Sequence, residues 1–129
     1  MPNRPPRPTD SELEILTVLW SRGSSTVREV YETLHKRRKS AQYSTTLKFM
    51  QIMAQKGLVT RDDRDRAHVY EAAHSQEAMQ KQLAGDLLQR GFDWSMKNLM
   101  IGALSARKTS KEELAELKRL LDEYEKGKR

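Results

Sequence analysis

Cysteine is absent from the chain, which excludes structural disulfides, thiol catalysis and every zinc motif that needs a thiolate. Proline is absent beyond residue 8. Pro2, Pro5, Pro6 and Pro8 are the only four, so residues 1–8 read as a disordered arm and the remainder is free to form uninterrupted helices. No apolar run approaches the ~18 residues of a membrane span, and the Arg/Pro-rich start lacks the apolar core of a signal peptide. A cytoplasmic chain with no membrane partner is the expectation. Glycine-rich phosphate loops and nucleophile motifs are missing as well. The three histidines, His35, His68 and His74, have no carboxylates at metal-ligand spacing and read as surface or packing residues. No catalytic residue, metal or cofactor is expected, and the chain does not read as an enzyme.

Negative charge is missing from one stretch in particular. All eighteen acidic residues lie outside the segment between Glu32 and Asp62, which carries seven basic ones: Lys36, Arg37, Arg38, Lys39, Lys48, Lys56 and Arg61. A segment that excludes carboxylates presents one sign of field to a polyanion, and the formal net charge of +6 agrees with such a partner. The partner suggested is nucleic acid. A solvated basic loop at residues 36–39 is the plainer alternative.

What is present is a series of helix starts. Thr9-Asp-Ser-Glu12 has the form of a capping box, in which hydroxyl and carboxylate each satisfy an orphan N–H, and a first helix follows with Leu13, Leu16, Leu19 and Trp20 toward one side. Gly23 can end it. Thr26 to Glu29 repeats the box, and Val27, Val30, Tyr31 and Leu34 then fall at i, i+3, i+4 and i+7 of a second helix ending near His35. A third helix should begin between Ser40 and Ser44, either of which can cap, and run through Leu47, Met50, Met53 and Ala54 to Gly57, with Thr45, Lys48 and Gln55 on its opposite face. The period then changes to two. Residues 58–61 and 67–73 read as strands flanking a polar connection. Helix, helix, helix and hairpin in that order describe a winged helix-turn-helix over residues 9–74.

Residues 75–129 return to helix. Met79, Leu83, Ala84, Leu87 and Leu88 mark one segment, residues 94–104 a short apolar one, and a third box at Ser110 to Glu113 opens the last, where Leu114, Leu117, Leu121 and Tyr124 follow at 3,4,3 spacing. Three helices of this size bury little among themselves, so a homodimer is expected, with Leu83, Leu87, Trp94, Leu99, Leu114, Leu117, Leu121 and Tyr124 as its contacts. Folding back on the winged domain is the monomeric alternative. The fold class is mainly α, a DNA-binding winged domain followed by a three-helix dimerisation region.

A helix-turn-helix sets the first turns of its second motif helix into the major groove. Gln42, Ser44, Thr45 and Lys48 are the candidates to meet base edges, and Tyr43 either reaches a phosphate or packs beneath the helix. Arg64 and Arg66 of the wing can meet a phosphate or enter the minor groove, although Asp62, Asp63 and Asp65 oppose close contact along the whole loop. Two other functions fit the same elements. One is a ligand-gated regulator whose pocket takes Phe92, Trp94 and Met96; the other is a protein interaction module that uses the winged helix without DNA.

The residues Thr9-Asp-Ser-Glu-Leu-Glu-Ile-Leu-Thr-Val-Leu-Trp20, Thr26-Val-Arg-Glu-Val30, Tyr43-Ser-Thr-Thr46, Lys56-Gly-Leu-Val59 and Arg66-Ala-His-Val-Tyr70, in this order and spacing, resemble the penicillinase-repressor family of bacterial winged-helix regulators. The resemblance covers nearly all of the chain after Arg7. It implies a homodimeric transcriptional repressor on a palindromic double-stranded operator, with Thr45, Thr46 and Lys48 on the recognition helix, Arg66 at the wing, and relief through a sensor protease that cuts the dimerisation region. Three departures stand out. Ile52 occupies a position where members commonly have arginine, Gly102-Ala103 stands at the Asn-Phe pair where studied β-lactamase repressors are cut, and the cysteines of copper-responsive relatives are absent.

Overall fold

The structure, a computed structural model, describes residues 4–127. Its elements run α1 (Asp10–Arg22), β1 (Ser25–Thr26), α2 (Val27–Arg37), α3 (Tyr43–Lys56), β2 (Val59–Asp62), β3 (Val69–Ala72), α4 (Gln76–Phe92), α5 (Met96–Ala106) and α6 (Lys111–Gly127). The chain divides into two compact units that meet within α4, one up to Ala84 and one from Gly85.

Two of the three expected capping boxes form in full. The Thr9 hydroxyl accepts from the Glu12 N–H at 3.2 Å while the Glu12 carboxylate accepts from the Thr9 N–H at 2.8 Å, and Thr26 with Glu29 repeats the arrangement. Thr26 serves twice, because the extended backbone that an N-cap requires also pairs with a strand. Ser25 and Thr26 lie opposite Tyr70 and Val69, which makes β3 the centre of a three-stranded antiparallel sheet in the order β1, β3, β2. This third strand is not visible as a sequence pattern, since two residues are too few to show an alternation. On the other edge Val59 faces Ala72 and Asp62 faces Val69, so the wing is the expected hairpin with its first strand shifted by one residue and its second shorter.

The helical core is broader than a single stripe. Ile15, Leu16, Val18 and Leu19 are all buried because α1 packs against α2, α3 and β3 together, while Leu13 and Trp20 lie at its margin. The Trp20 indole N–H donates to the His74 carbonyl at 3.0 Å and ties α1 to the chain leaving the sheet. Val30 and Leu34 of α2, Met50 and Met53 of α3, Leu58 and Tyr70 complete the interior. Gly57 adopts the left-handed conformation with φ 86°, and the Leu58 N–H returns to the Met53 carbonyl while the Gly57 N–H returns to Ala54. This is a Schellman ending, and its customary apolar pair, Leu58 and Met53, is fully buried.

Two expectations are corrected here. The proline-rich start is no free arm throughout: Pro5 is buried and its carbonyl accepts from the Gln82 side chain, although residues 1–3 of that arm lie outside the described residues. The apolar core also reaches past residue 74. Met79 of α4 is 1% exposed within it, and Leu83, expected among the dimer contacts, packs against the same cluster.

In the second unit α5 lies near the Phe92 ring at Gly102, where an added Cβ would stand in ordinary contact with the ring at 3.5 Å. Asp93 and Trp94 take positive φ in the bend between α4 and α5, where the Trp94 N–H donates to the Leu88 carbonyl. The Ser110 hydroxyl accepts from the Glu113 N–H at the start of α6. No residue of α5 or α6 is buried.

Glu12 holds the first unit together at a single carboxylate. It is 3% exposed, completes the α1 cap, and meets the Lys56 ammonium of the last turn of α3 at 2.7 Å. Burial alone would raise its pKa, but the Lys56 ammonium and the Thr9 N–H outweigh that and hold it below the usual carboxylate value. A carboxyl lowered in the folded state stabilises above its unfolded pKa and loses that contribution as pH falls through the folded value. Glu12→Gln is therefore expected to cost about 1–2 kcal/mol at neutral pH, by analogy with the loss of a cap. Denaturant unfolding of both proteins, at neutral pH and in acid, should show the difference shrinking as pH falls through the lowered pKa of Glu12. An equal deficit at both pH values would show that the charge plays no part.

Candidate nucleic-acid interface

The turn before α3 is set by short hydrogen bonds. The Arg38 N–H donates to the Leu34 carbonyl at 2.9 Å, the Ala41 N–H to the Arg38 carbonyl at 3.0 Å, and the Arg38 guanidinium reaches Glu14 of α1 at 2.8 Å. Gln42 then takes the N-cap position with an extended backbone and no side-chain cap. Neither Ser40 nor Ser44 caps, contrary to expectation. Ser44 already lies inside the first turn. Unlike α1 and α2, this helix therefore leaves first-turn N–H groups open to solvent or an anionic oxygen.

The outer face of α3 carries Gln42, Tyr43, Ser44, Thr45 and Lys48, all exposed, and continues through Gln51 and Gln55. Thr46, expected beside Thr45 at the DNA, points the other way. It is 4% exposed and its hydroxyl donates to the Gln42 carbonyl at 3.0 Å, so it shapes the helix start from within and is not a contact residue. Ile52 is half-buried. Tyr43 has its ring edge-on to Tyr31, with centroids 5.8 Å apart, and carries the Arg28 guanidinium 4.8 Å above its centre.

The basic stretch splits into two sets. Arg38, Lys56 and Arg61 are ion-paired within the fold, to Glu14, Glu12 and Asp63. Lys36, Arg37, Lys39 and Lys48 are exposed and have no carboxylate partner among the described residues. These four surround the start of α3 along the sequence and leave its field uncompensated.

The wing shows a similar division. Arg64 is bound to Asp62, with the closest contact at 2.6 Å and Nε donating to both carboxylate oxygens. Hydrogen bonding from Arg64 pulls the Asp62 carboxyl down to about 2. Arg64 stays exposed in the wing, but its charge is matched inside the turn. Asp63 similarly takes Arg61 at 2.7 Å and His68 Nδ1 at 2.6 Å. Arg66 is exposed and unpaired among the described residues, and it lines a groove of about 640 Å3 together with Arg28, Tyr43 and Gln51. Arg28 and Gln51 escaped the sequence reading. The signal for Arg28 lay in helix packing, which sets residue 28 against residue 43, and no local motif expresses that.

Three helices closed by a hairpin, with the third helix turning a polar row outward, define a winged helix-turn-helix regulator of transcription. A model of the penicillinase repressor family matches residues 8–123. The transcriptional regulator BlaI of Mycobacterium tuberculosis, in strains CDC 1551 / Oshkosh and ATCC 25618 / H37Rv, is 34% identical over 119 residues, which cover 92% of this chain and 85% of the relative. The solution structure of the DNA binding domain of the repressor BlaI matches with a TM-score of 0.50 and 25% identity, over 57% of this chain and 88% of that one. The chain belongs to the penicillinase repressor family, a family of transcriptional repressors and not of enzymes.

The two wing arginines should behave differently on DNA. Arg66→Ala is expected to weaken binding to any duplex and to reduce the slope of log K against log salt by about one per wing, whereas Arg64→Ala should leave the slope unchanged. Anisotropy titrations across a salt series check this, and equal slopes for the two variants would mean that the Asp62–Arg64 pair opens on DNA.

Proposed function

We propose that the protein is a homodimeric repressor that covers a palindromic operator, with one α3 in each of two successive major grooves. The observation that carries this reading is the exposed row Gln42, Tyr43, Ser44, Thr45 and Lys48, flanked by unpaired Lys36, Arg37 and Lys39 and by no carboxylate between Glu32 and Asp62. Gln42 can bond adenine through both side-chain polar atoms, Ser44 and Thr45 can serve bases or phosphates, and Lys48 can reach guanine or a phosphate.

Dimerisation falls to the second unit. Trp94, Met96, Leu120, Leu121 and Tyr124 are between 59% and 64% exposed, Leu87 is 52% and Leu114 is 40%, and Leu99 and Leu117 are half-buried. So much apolar surface on about 45 residues calls for a second copy to cover it. The same exposure of Trp94 and Met96 disfavours a ligand-gated mechanism in which they enclose an effector. The unpaired cations disfavour a scaffold that never meets DNA. Relief by a sensor protease at Gly102-Ala103 requires α5 to open first, because that pair lies within the helix and Gly102 rests against Phe92.

Fluorescence anisotropy on the upstream intergenic duplex and on a shuffled one, at about 50 and 200 mM salt, tests the reading. A preference of about a thousandfold with a steep salt slope is expected. Thr45→Ala should relax that preference, and Lys36→Ala should weaken both duplexes alike. Equal affinity of the unsubstituted protein for both duplexes would sink site-specific repression. A fragment of residues 1–84, which keeps Met79 and Leu83 in the core, should fold yet bind the operator poorly, because a single head lacks the advantage of linkage. Tight operator binding by that fragment as a monomer would sink the dimer.

A further inference from the structure

The arginines of the first unit differ in how they are held. Arg22, Arg38, Arg61 and Arg64 each lie against a carboxylate, at 3.4 Å from Glu29, 2.8 Å from Glu14, 2.7 Å from Asp63 and 2.6 Å from Asp62. Arg28 is held by a ring instead. Its guanidinium carbon stands 4.8 Å from the Tyr43 centroid, and it has no carboxylate partner among the described residues. The ring cannot swing away freely. Tyr43 meets the Tyr31 ring edge-on at an interplanar angle of 81°, and Tyr31 is in turn backed by His35 at 5.4 Å.

A stacked guanidinium uses its face for the ring and keeps its N–H edges for hydrogen bonds, the geometry that receives a phosphate through two oxygens. It also forfeits little freedom on binding, because the side chain is already placed. Arg28 and Arg66 both line the groove between α2, α3 and the hairpin, whose remaining wall includes Leu47 and Gln51 of α3. Glu29 and Glu32 of α2 also border the groove, and each disfavours a phosphate beside it. The neighbouring Glu29 is engaged by the Thr26 N–H and Arg22.

From this we infer that Arg28, preset on the Tyr43 ring, is a phosphate clamp that fixes the register of α3 on DNA. Tyr43 is the first residue of α3, so a phosphate held by Arg28 is tied to the point where the exposed row begins. The ring of Tyr43 carries the function and its hydroxyl is not needed. The inference rests on α3 being the element that enters the groove of DNA.

The test uses the full-length protein with Arg28→Ala, Arg28→Lys, Tyr43→Phe and Tyr43→Leu, on the upstream and shuffled duplexes through a salt series, with thermal unfolding to verify folding. Arg28→Ala should weaken both duplexes alike by roughly tenfold and reduce the salt slope by about one per head. Arg28→Lys should keep the slope while losing part of the affinity. Tyr43→Phe should keep the slope and retain more affinity than Tyr43→Leu, which should keep the slope but bind about fivefold more weakly than Tyr43→Phe because the cation is no longer placed. An unchanged slope in Arg28→Ala, or equal damage from Tyr43→Phe and Tyr43→Leu, overturns the clamp. If Arg28→Ala is silent while Thr45→Ala is defective, the clamp alone fails. If the unsubstituted protein binds neither duplex at low salt, the placement of α3 on DNA fails with it.

Discussion

One buried carboxylate links the start of the first helix to the end of the helix that presents the site. Glu12 satisfies the opening N–H of the α1 cap and simultaneously receives Lys56, the last residue of α3 before the left-handed Gly57. A buried ion pair adds little net stability by itself, since desolvation offsets most of the attraction. Its value here is geometric. The pair fixes where α3 stops relative to where α1 begins, and the Schellman turn then sends the chain directly into the hairpin. Because Arg38 to Glu14 ties the opposite end of α3, through its preceding turn, to α1 as well, the exposed row is braced at both ends by carboxylates of one helix. Both interactions draw on cations that would otherwise count toward the DNA-facing field.

That division qualifies any argument from charge counting. Seven basic residues without a carboxylate among them point correctly to a polyanion, yet three of the seven belong to the framework or the wing and four remain unmatched. The matching carboxylates lie outside the acid-free segment, on α1 and in the hairpin. A local window cannot contain them. The wing repeats the lesson at shorter range: Asp62 with Arg64 is an i, i+2 pair closed by the turn itself, so net charge in the loop overstates what the hairpin offers to a phosphate.

Much of the fold was legible because its boundaries are made by side chains acting on nearby backbone. The Thr9–Glu12 and Thr26–Glu29 boxes and the Gly57 stop are i, i+3 or single-residue signals, and each appears where the sequence places it. What was not legible depends on tertiary partners. The two-residue β1 exists only because Tyr70 and Val69 are presented to it. Serines at 40 and 44 advertise a cap that the turn geometry assigns to Gln42. Thr46 looks equivalent to Thr45 until the helix is docked, whereupon a 100° step buries one and exposes the other. Arg28 was invisible for the same reason: its partner ring is fifteen residues away and on another helix.

The two units face opposite demands, and function depends on both. The first buries its apolar side chains well, to the point that Val30, Met50 and Met53 have no exposed surface. The second leaves α5 and α6 without a buried residue, so its order is tied to what covers it. Under the dimer reading, operator affinity and subunit association are then one equilibrium. Two modest heads linked by an apolar interface reach an affinity that neither has alone, and any event that uncovers the interface lowers operator occupancy without touching α3. Placing the apolar surface in a unit separate from the core of the head lets that control be altered in sequence while the reading surface is conserved in shape.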